Sequence, residues 1–132
     1  MKIIDELYVR YPQLEGALPA VSLVSMSGIL TAFANDVAWE TAFAQQVVGL
    51  GRPGDVLIAL STSGNSANCV NAALVAKAKG MKVVSLTGAG GGKLGAVADA
   101  SLAVPETETY KIQELHLPIY HALCAALEET LF

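Results

Sequence analysis

Charged residues are scarce in this sequence. Only 15% of its 132 residues are Asp, Glu, Lys or Arg, and 53% are hydrophobic, whereas ordinary soluble domains carry roughly 25% charged residues. The length suits one domain and is too short for two. Because a small domain has much surface for its volume, it cannot hide so many apolar side chains in its own core. The length therefore predicts a single domain over residues 1–132, and the composition predicts that it forms a homo-oligomer, with dimer and tetramer both left open.

Basic clusters and long apolar runs are also lacking. The net charge is -4, and the grouped Lys77, Lys79 and Lys82 are better explained as solvated charges at a helix end. Nucleic-acid binding, which needs clustered cations, is not expected. No apolar run approaches the roughly 18 residues of a membrane span. The amino terminus turns acidic at Asp5 and Glu6, where a signal peptide needs its apolar stretch.

Cysteine is limited to Cys69 and Cys124. Two cysteines in an apolar chain are typical of buried thiols in a reducing compartment rather than of a disulfide scaffold. With neither a membrane span nor a signal peptide in the pattern, the sequence predicts a cytoplasmic protein that binds no membrane.

The order of apolar runs and turn residues predicts an α/β fold with a parallel sheet. Residues 55–60 are a nearly continuous apolar run, typical of a strand buried on both faces. We expect helices over residues 1–11, 29–33, 39–50, 67–79, 93–98 and 110–131, and strands over 18–24, 55–60, 82–87 and 101–104. Pro118 should kink the last helix or mark its first turn. Because ligands of such sheets bind at the carboxyl ends of the strands, the loops after Leu60 and Thr87 are the candidate site.

A small, hydroxyl-rich loop follows the first of these strands. Ser61, Thr62, Ser63 and Ser66 surround Gly64 just before the helix that starts near residue 67. Hydroxyl donors, backbone N–H groups and the positive end of a helix together suit a phosphate monoester. The alternative is a turn in which Ser66 is a simple helix cap. One cap would explain one hydroxyl and not four, so we favour phosphate binding.

A glycine loop follows the next strand. Gly90, Gly92 and Gly95 fit the letters of a dinucleotide-binding motif, but no suitable acidic residue follows, and Leu94 stands after Lys93 where a P-loop needs Ser or Thr. We therefore expect a structural turn and no nucleotide cofactor.

The last predicted helix carries Gln113, His116 and His121. Gln113 and His121 are eight residues apart, a little over two turns, so they can loosely share one face, while His116 lies nearer another edge. A single histidine on an apolar helix is usually a core residue. It can equally be a proton carrier or a metal ligand, and the pattern alone leaves both readings open.

These motifs resemble the sugar isomerase (SIS) domain family, and in particular its phosphoheptose isomerase branch. The matching segments are residues 61–66, 79–82, 86–88, 91–94, 104–105 and 112–116, with His121. The resemblance implies a flavodoxin-like parallel sheet, here without the family's amino-terminal helices and first strand. It implies homotetramers with sites between subunits, and interconversion of sedoheptulose 7-phosphate with a heptose 7-phosphate.

The resemblance also implies residue roles. Ser61, Ser63 and Ser66 would hold the phosphate with Thr62 beside them. Glu6 and His121 would be the catalytic base and its acid–base partner, which suits an isomerisation through an enediol. Gln113 and His121, with Glu6, would contact zinc where zinc is bound.

Two positions depart from the family pattern. Lys2 stands where the family has a histidine one turn from its glutamate, and Met26 where it usually has a substrate-contacting aspartate. These departures favour a phosphosugar-binding or regulatory module without catalysis, whereas Glu6, Gln113 and His121 favour an isomerase. An oligomeric scaffold is the third alternative, since some SIS proteins serve that role.

Overall fold

The computed structural model describes residues 18–131. The predicted helix over residues 1–11, with Lys2 and Glu6, lies outside these residues. The described part contains five α-helices and three β-strands: α1 Ser27–Asp36, α2 Ala42–Leu50, β1 Val56–Ser61, α3 Ala67–Ala78, β2 Lys82–Thr87, α4 Gly92–Val97, β3 Ala100–Ala103 and α5 Thr109–Leu131. Short 3-10 helices occupy Leu23–Ser25 and Trp39–Thr41.

The three strands form one parallel sheet in the order β1-β2-β3. Ser61 at the end of β1 lies beside Thr87 at the end of β2, and Thr87 in turn lies beside Ala103 of β3. The predicted α/β class with a parallel sheet is confirmed. This register brings the loops after β1 and β2 to the same edge of the sheet, where the candidate site was expected.

The core forms where α2 and the alanine-rich α3 meet the sheet. Ala73 and Ala76 of α3 and Val83 of β2 are fully buried, and Val47 of α2 packs in the same cluster. Small side chains let α3 approach the sheet closely. Because α3 packs directly on the strands, both ends of the loop between β1 and α3 are held in place by the core.

The predicted strand over residues 18–24 is wrong. The segment is irregular and ends in the 3-10 helix Leu23–Ser25, with Val21 60% and Val24 68% exposed. β-Branched residues suit a strand only when neighbouring strands supply a ladder and a surface to pack on, and Pro19 lacks one ladder donor. The sequence predicted one turn of helix over residues 29–33, whereas α1 is ten residues long.

Helix α5 is long and only partly packed against the described domain. It buries Ile112, His116 and Cys124, while five of its leucines are exposed: Leu115, Leu117, Leu123, Leu127 and Leu131. Pro118 lies inside the helix and not in its first turn, so the carbonyl of Glu114 loses its usual N–H partner. No helix within residues 18–131 is long and apolar enough to cross a membrane.

Candidate functional site

The hydroxyl-rich loop joins β1 to the start of α3. Ser66 precedes the helix in an extended conformation, and within the described residues its side chain makes no capping bond to the helix. Instead, the Ser61 hydroxyl donates to Ser66 Oγ at 3.0 Å. The alternative of Ser66 as a simple cap is therefore wrong. The first N–H groups of a helix have no partners inside the helix. In α3 the Cys69 amide donates to Asn68 Oδ1 at 2.8 Å, so the amides of Ala67 and Asn68 are the ones that can serve a ligand.

The four hydroxyl residues differ in accessibility. Ser63 and Ser66 are exposed, Thr62 is half-buried, and Ser61 is buried. Ser63 Oγ accepts a hydrogen bond from the Asn65 amide at 3.1 Å, so its own hydroxyl proton remains available. Ser63 and Ser66 can thus reach a ligand directly, while Ser61 orients Ser66 from behind.

The loop is clamped against the glycine loop that follows β2. Gly64 has φ +65, and a Cβ at this position would lie 2.1 Å from the Gly91 carbonyl oxygen. The Leu94 amide donates to the Gly64 carbonyl at 2.8 Å, and the Lys93 amide donates to Asn65 Oδ1 at 3.2 Å. The second loop therefore braces the first, in agreement with the structural role predicted for it.

Sequence reasoning treated the two loops separately and missed Gly64 and Asn65 as supports of the site. Gly92 of the glycine loop also packs closely against the phosphate loop, since a Cβ there would lie 2.7 Å from Gly64 backbone atoms. The available signal was the presence of glycines in two successive loops after strands of one parallel sheet. Such loops emerge side by side, and close approach of two backbones demands glycine.

The end of β2 connects this site to α5. The Gly88 amide donates to the Thr62 carbonyl at 2.9 Å, and a Cβ on Gly88 would lie 2.4 Å from Ile112 Cδ1 of α5. One residue earlier, His116 Nε2 lies 3.0 Å from the Thr87 carbonyl oxygen. A carbonyl can only accept, so Nε2 carries the proton and donates. His116 is 4% exposed, which fits the reading of a core histidine.

Glu106 fixes the segment that leads into α5. Its side chain accepts from the amides of Thr107 at 2.7 Å and Glu108 at 3.2 Å, and these bonds, the first being the larger, lower the pKa of the Glu106 carboxyl. Its carbonyl accepts from the Ala89 amide at 2.8 Å, and Lys111 Nζ lies 3.8 Å from its carboxylate. The start of α5 is thereby tied to the glycine loop.

Gln113 and His121 both lie exposed on α5. At about 100° per residue, they are about 80° apart around the helix, and His121 is about 180° from Ile112. Because Ile112 faces Gly88, His121 projects away from the phosphate loop of its own chain. Its ring lies tilted against that of Tyr120, with 5.0 Å between centroids and 36° between the ring planes. The structure therefore does not bring His121 to the four hydroxyl residues within one chain.

The expected zinc ligands do not make a metal centre by themselves. Among residues 18–131, no three His, Cys, Asp or Glu side chains are grouped to hold a metal ion. Gln113 and His121 offer one amide and one imidazole, whereas zinc in proteins takes at least three N, S or carboxylate ligands. Glu6 lies outside the described residues. Within the described residues Gln113 and His121 are too few to hold zinc, so zinc binding stays a prediction, and we derive no chemical step through a metal.

Comparison with known proteins gives consistent matches. The SIS domain model matches residues 11–88. A phosphoheptose isomerase of Rhodospirillum rubrum is 47% identical over 126 residues, covering 96% of this chain and 67% of the relative. Another, from Akkermansia muciniphila, is 44% identical with the same coverages. The chain thus spans about two thirds of the length of these relatives.

Solved structures agree with the sequence matches. A phosphoheptose isomerase from Francisella tularensis superposes with a TM-score of 0.89 at 35% identity, covering 94% of this chain and 66% of that one. One from Neisseria gonorrhoeae gives 0.85 at 41% identity, covering 95% and 67%. The family model, the sequence relatives that cover 96% of this chain and the solved structures all indicate the same family. The chain belongs to the SIS domain family.

Proposed function

We propose that this chain is a sugar-phosphate isomerase of the phosphoheptose isomerase type, acting on sedoheptulose 7-phosphate or a related sugar phosphate. The observation that carries the proposal is the start of α3, where Ser66 makes no capping bond to the helix and the hydroxyl residues Ser63 and Ser66 are exposed. The names of the similar proteins support the same reaction. We also propose that residues 1–132 belong to one SIS domain and that the protein works in the cytoplasm.

The phosphate would lie against the first turn of α3. Ser63 and Ser66 would donate their hydroxyl protons to phosphate oxygens, with Thr62 at the side and Ser61 holding Ser66 in place. Hydrogen bonds to an ionised acceptor are roughly twice as strong as neutral ones. The partial positive charge of the helix start adds to them. The loop would therefore bind the phosphate end and leave the sugar chain free to extend toward the reacting groups.

The reaction itself is a proton transfer between neighbouring carbons. In this proposal Glu6 takes the proton from the carbon beside the carbonyl, and His121 exchanges protons with the substrate oxygens as the enediol forms and collapses. Carboxylate and imidazole suit these roles because both can hold and release a proton near neutral pH. A fixed hydrogen-bond donor near the oxygens would stabilise the enediolate charge.

We propose that a second copy of the chain completes the site. His121 projects from the side of α5 opposite Ile112, so it is better placed to serve the phosphate loop of a neighbouring copy. The exposed leucines of α5 offer an apolar surface for such an association. This arrangement fits the expected homotetramer, in which sites lie between subunits.

One described residue favours a second candidate function. Met26 stands where the family usually has an aspartate that contacts substrate, and it is half-buried beside Ile29 and Phe33 in a mostly apolar pocket, which Gln45 and Gln46 also line. A thioether cannot accept hydrogen bonds from sugar hydroxyls as a carboxylate does. This favours a phosphosugar-binding module or an oligomeric scaffold without turnover.

Proton NMR of sedoheptulose 7-phosphate in heavy water would separate these functions. An isomerase should give aldose signals, or deuterium at the carbon beside the carbonyl. A binding module should only broaden the sugar signals, and a scaffold should leave them unchanged. The double variant Ser63→Ala with Ser66→Ala should weaken sugar-phosphate binding at least tenfold, and Thr130→Ala, which removes an exposed hydroxyl at the far end of α5, should not. Equal affinity of the double variant and the wild type would contradict the phosphate assignment.

A further inference from the structure

His116 is buried beneath the site and has no role in the proposed chemistry. It lies on α5 between Gln113 and His121, and its Nε2–H donates to the Thr87 carbonyl. We infer that His116 is a positioning residue, which fixes α5, and with it the acid–base groups, relative to the phosphate loop. The inference deepens the proposed function and rests on it for its catalytic consequence.

The first support is the place of the bond in the chain. Thr87 ends β2, and the next amide, Gly88 N–H, donates to the Thr62 carbonyl of the phosphate loop at 2.9 Å. The two sides of a single peptide unit are thus bonded to α5 and to the phosphate loop. A peptide unit is planar and stiff, so a displacement of either partner is passed to the other.

The second support is how few buried side chains hold α5 against the domain. Its buried side chains are Ile112, His116 and Cys124, within the part of the chain that the structure describes. Ile112 and His116 are one turn apart and face the end of β2 together. Apolar contact at Ile112 resists separation but allows sliding, because dispersion forces have little directionality. The bond from His116 is directional and sets the register of α5 along Thr87 and Gly88.

The third support is that Thr87 does not need His116 to satisfy its carbonyl. The same oxygen accepts from the Val104 amide at 3.0 Å, so β2 and β3 stay paired when the histidine is replaced. The phosphate loop likewise keeps its bonds from the amides of Lys93 and Leu94. Removing the imidazole donor should therefore loosen α5 while leaving the sheet and the loop in place.

Three substitutions isolate the donor. His116→Met keeps most of the buried volume and has no donor. His116→Gln keeps an N–H group near the position of Nε2. His116→Asn carries a donor too short to reach Thr87, and it replaces the Met variant if that one fails to fold. Ser85→Ala is the matched control, because Ser85 Oγ makes a part-buried hydrogen bond to Ser101 Oγ at 2.9 Å that includes no atom of the phosphate loop or of α5.

The kinetic readout should separate positioning from stability. A misplacement of about 1 Å can cost about a hundredfold in rate, so His116→Met should lower kcat at least tenfold while KM stays within about twofold. His116→Gln should stay within about threefold of wild-type kcat, and so should Ser85→Ala. The inference is wrong if the Met variant keeps wild-type kcat per folded protein, or if the Gln variant falls as far as the Met variant.

An NMR titration gives a readout that does not need turnover. On addition of inorganic phosphate, amide signals of Ser63 and of α5 residues around Gln113 should shift in the wild type and in His116→Gln. In His116→Met, the Ser63 shift should persist and the α5 shifts should disappear. Persistent α5 shifts in the Met variant would overturn the inference. If wild type shows these shifts but never converts the sugar, the isomerase proposal fails and the positioning role stands.

Discussion

Gly64→Ala tests the clamp between the two loops most directly. Gly64 has φ +65, and the new Cβ would lie 2.1 Å from the Gly91 carbonyl oxygen and 2.6 Å from its carbon. Real Cβ atoms do not approach backbone atoms so closely. Since both contacts are backbone atoms, the loops must move apart.

The expected cost follows from three contributions. An alanine in the left-handed region costs about 1 kcal/mol more than a glycine there. Separation of the loops breaks the bond from the Leu94 amide to the Gly64 carbonyl and the bond from the Lys93 amide to Asn65 Oδ1. Each contributes about 1 kcal/mol net to stability. The variant should lose about 3 kcal/mol, a large part of the 5–15 kcal/mol typical of a domain.

Gly54→Ala is the matched control for this experiment. Gly54 also has positive φ, at +91, but nothing lies within 4 Å of a Cβ placed there. It should lose only the conformational part, about 1 kcal/mol. Urea unfolding followed by circular dichroism measures both free energies, and calorimetry measures sugar-phosphate affinity, which should fall only in Gly64→Ala. If Gly64→Ala costs no more than Gly54→Ala, the two loops do not depend on each other.

Two substitutions and one labelling experiment have definite expected outcomes. Hydrogen bonds, first from Lys77 and then from the Val83 amide, lower the pKa of Asp99 from 3.8 to about 2, so its stabilising effect is present above pH 4 and lost as pH falls through about 2. Between pH 4 and pH 2, the urea midpoint of unfolding should therefore fall less in Asp99→Asn than in the wild type. Equal falls in the two proteins would contradict this. His121→Ala should lower turnover at least a hundredfold and spare sugar-phosphate binding in the NMR assay; surviving activity would make His121 structural. Burial raises the pKa of the Cys69 thiol, so iodoacetamide at pH 8 should label it more slowly in folded than in urea-unfolded protein, and equal rates would refute its burial.

The strand–loop–helix unit could be predicted well because its signals are local. The strand expected over residues 55–60 is Val56–Ser61, the helix expected over 67–79 is Ala67–Ala78, and the strand expected over 82–87 is found unchanged. A buried parallel strand needs an apolar run, and a helix ends readily at a glycine such as Gly80, which has φ +75. Both requirements can be recognised from a few neighbouring residues.

The failure at residues 18–24 has the opposite cause. The residues there favour a strand, but a strand exists only as a partner in a ladder, and that partner is not encoded in the segment itself. His121 shows the same limit at the site. Its residue type and its likeness to the family indicate a role, while the helix geometry shows that it faces away from its own phosphate loop.

By itself, then, the sequence determined the class of the fold, the order of its central elements and the hydroxyl loop as the candidate site. Only the tertiary structure decided that Gly64 meets Gly91, that Gly88 bonds Thr62, and that His116 donates to Thr87. These contacts join residues about 26 to 29 positions apart, which the parallel crossover brings to one edge of the sheet. Patterns in neighbouring residues do not predict contacts over such sequence separations, because these contacts form only after strands and helices have packed.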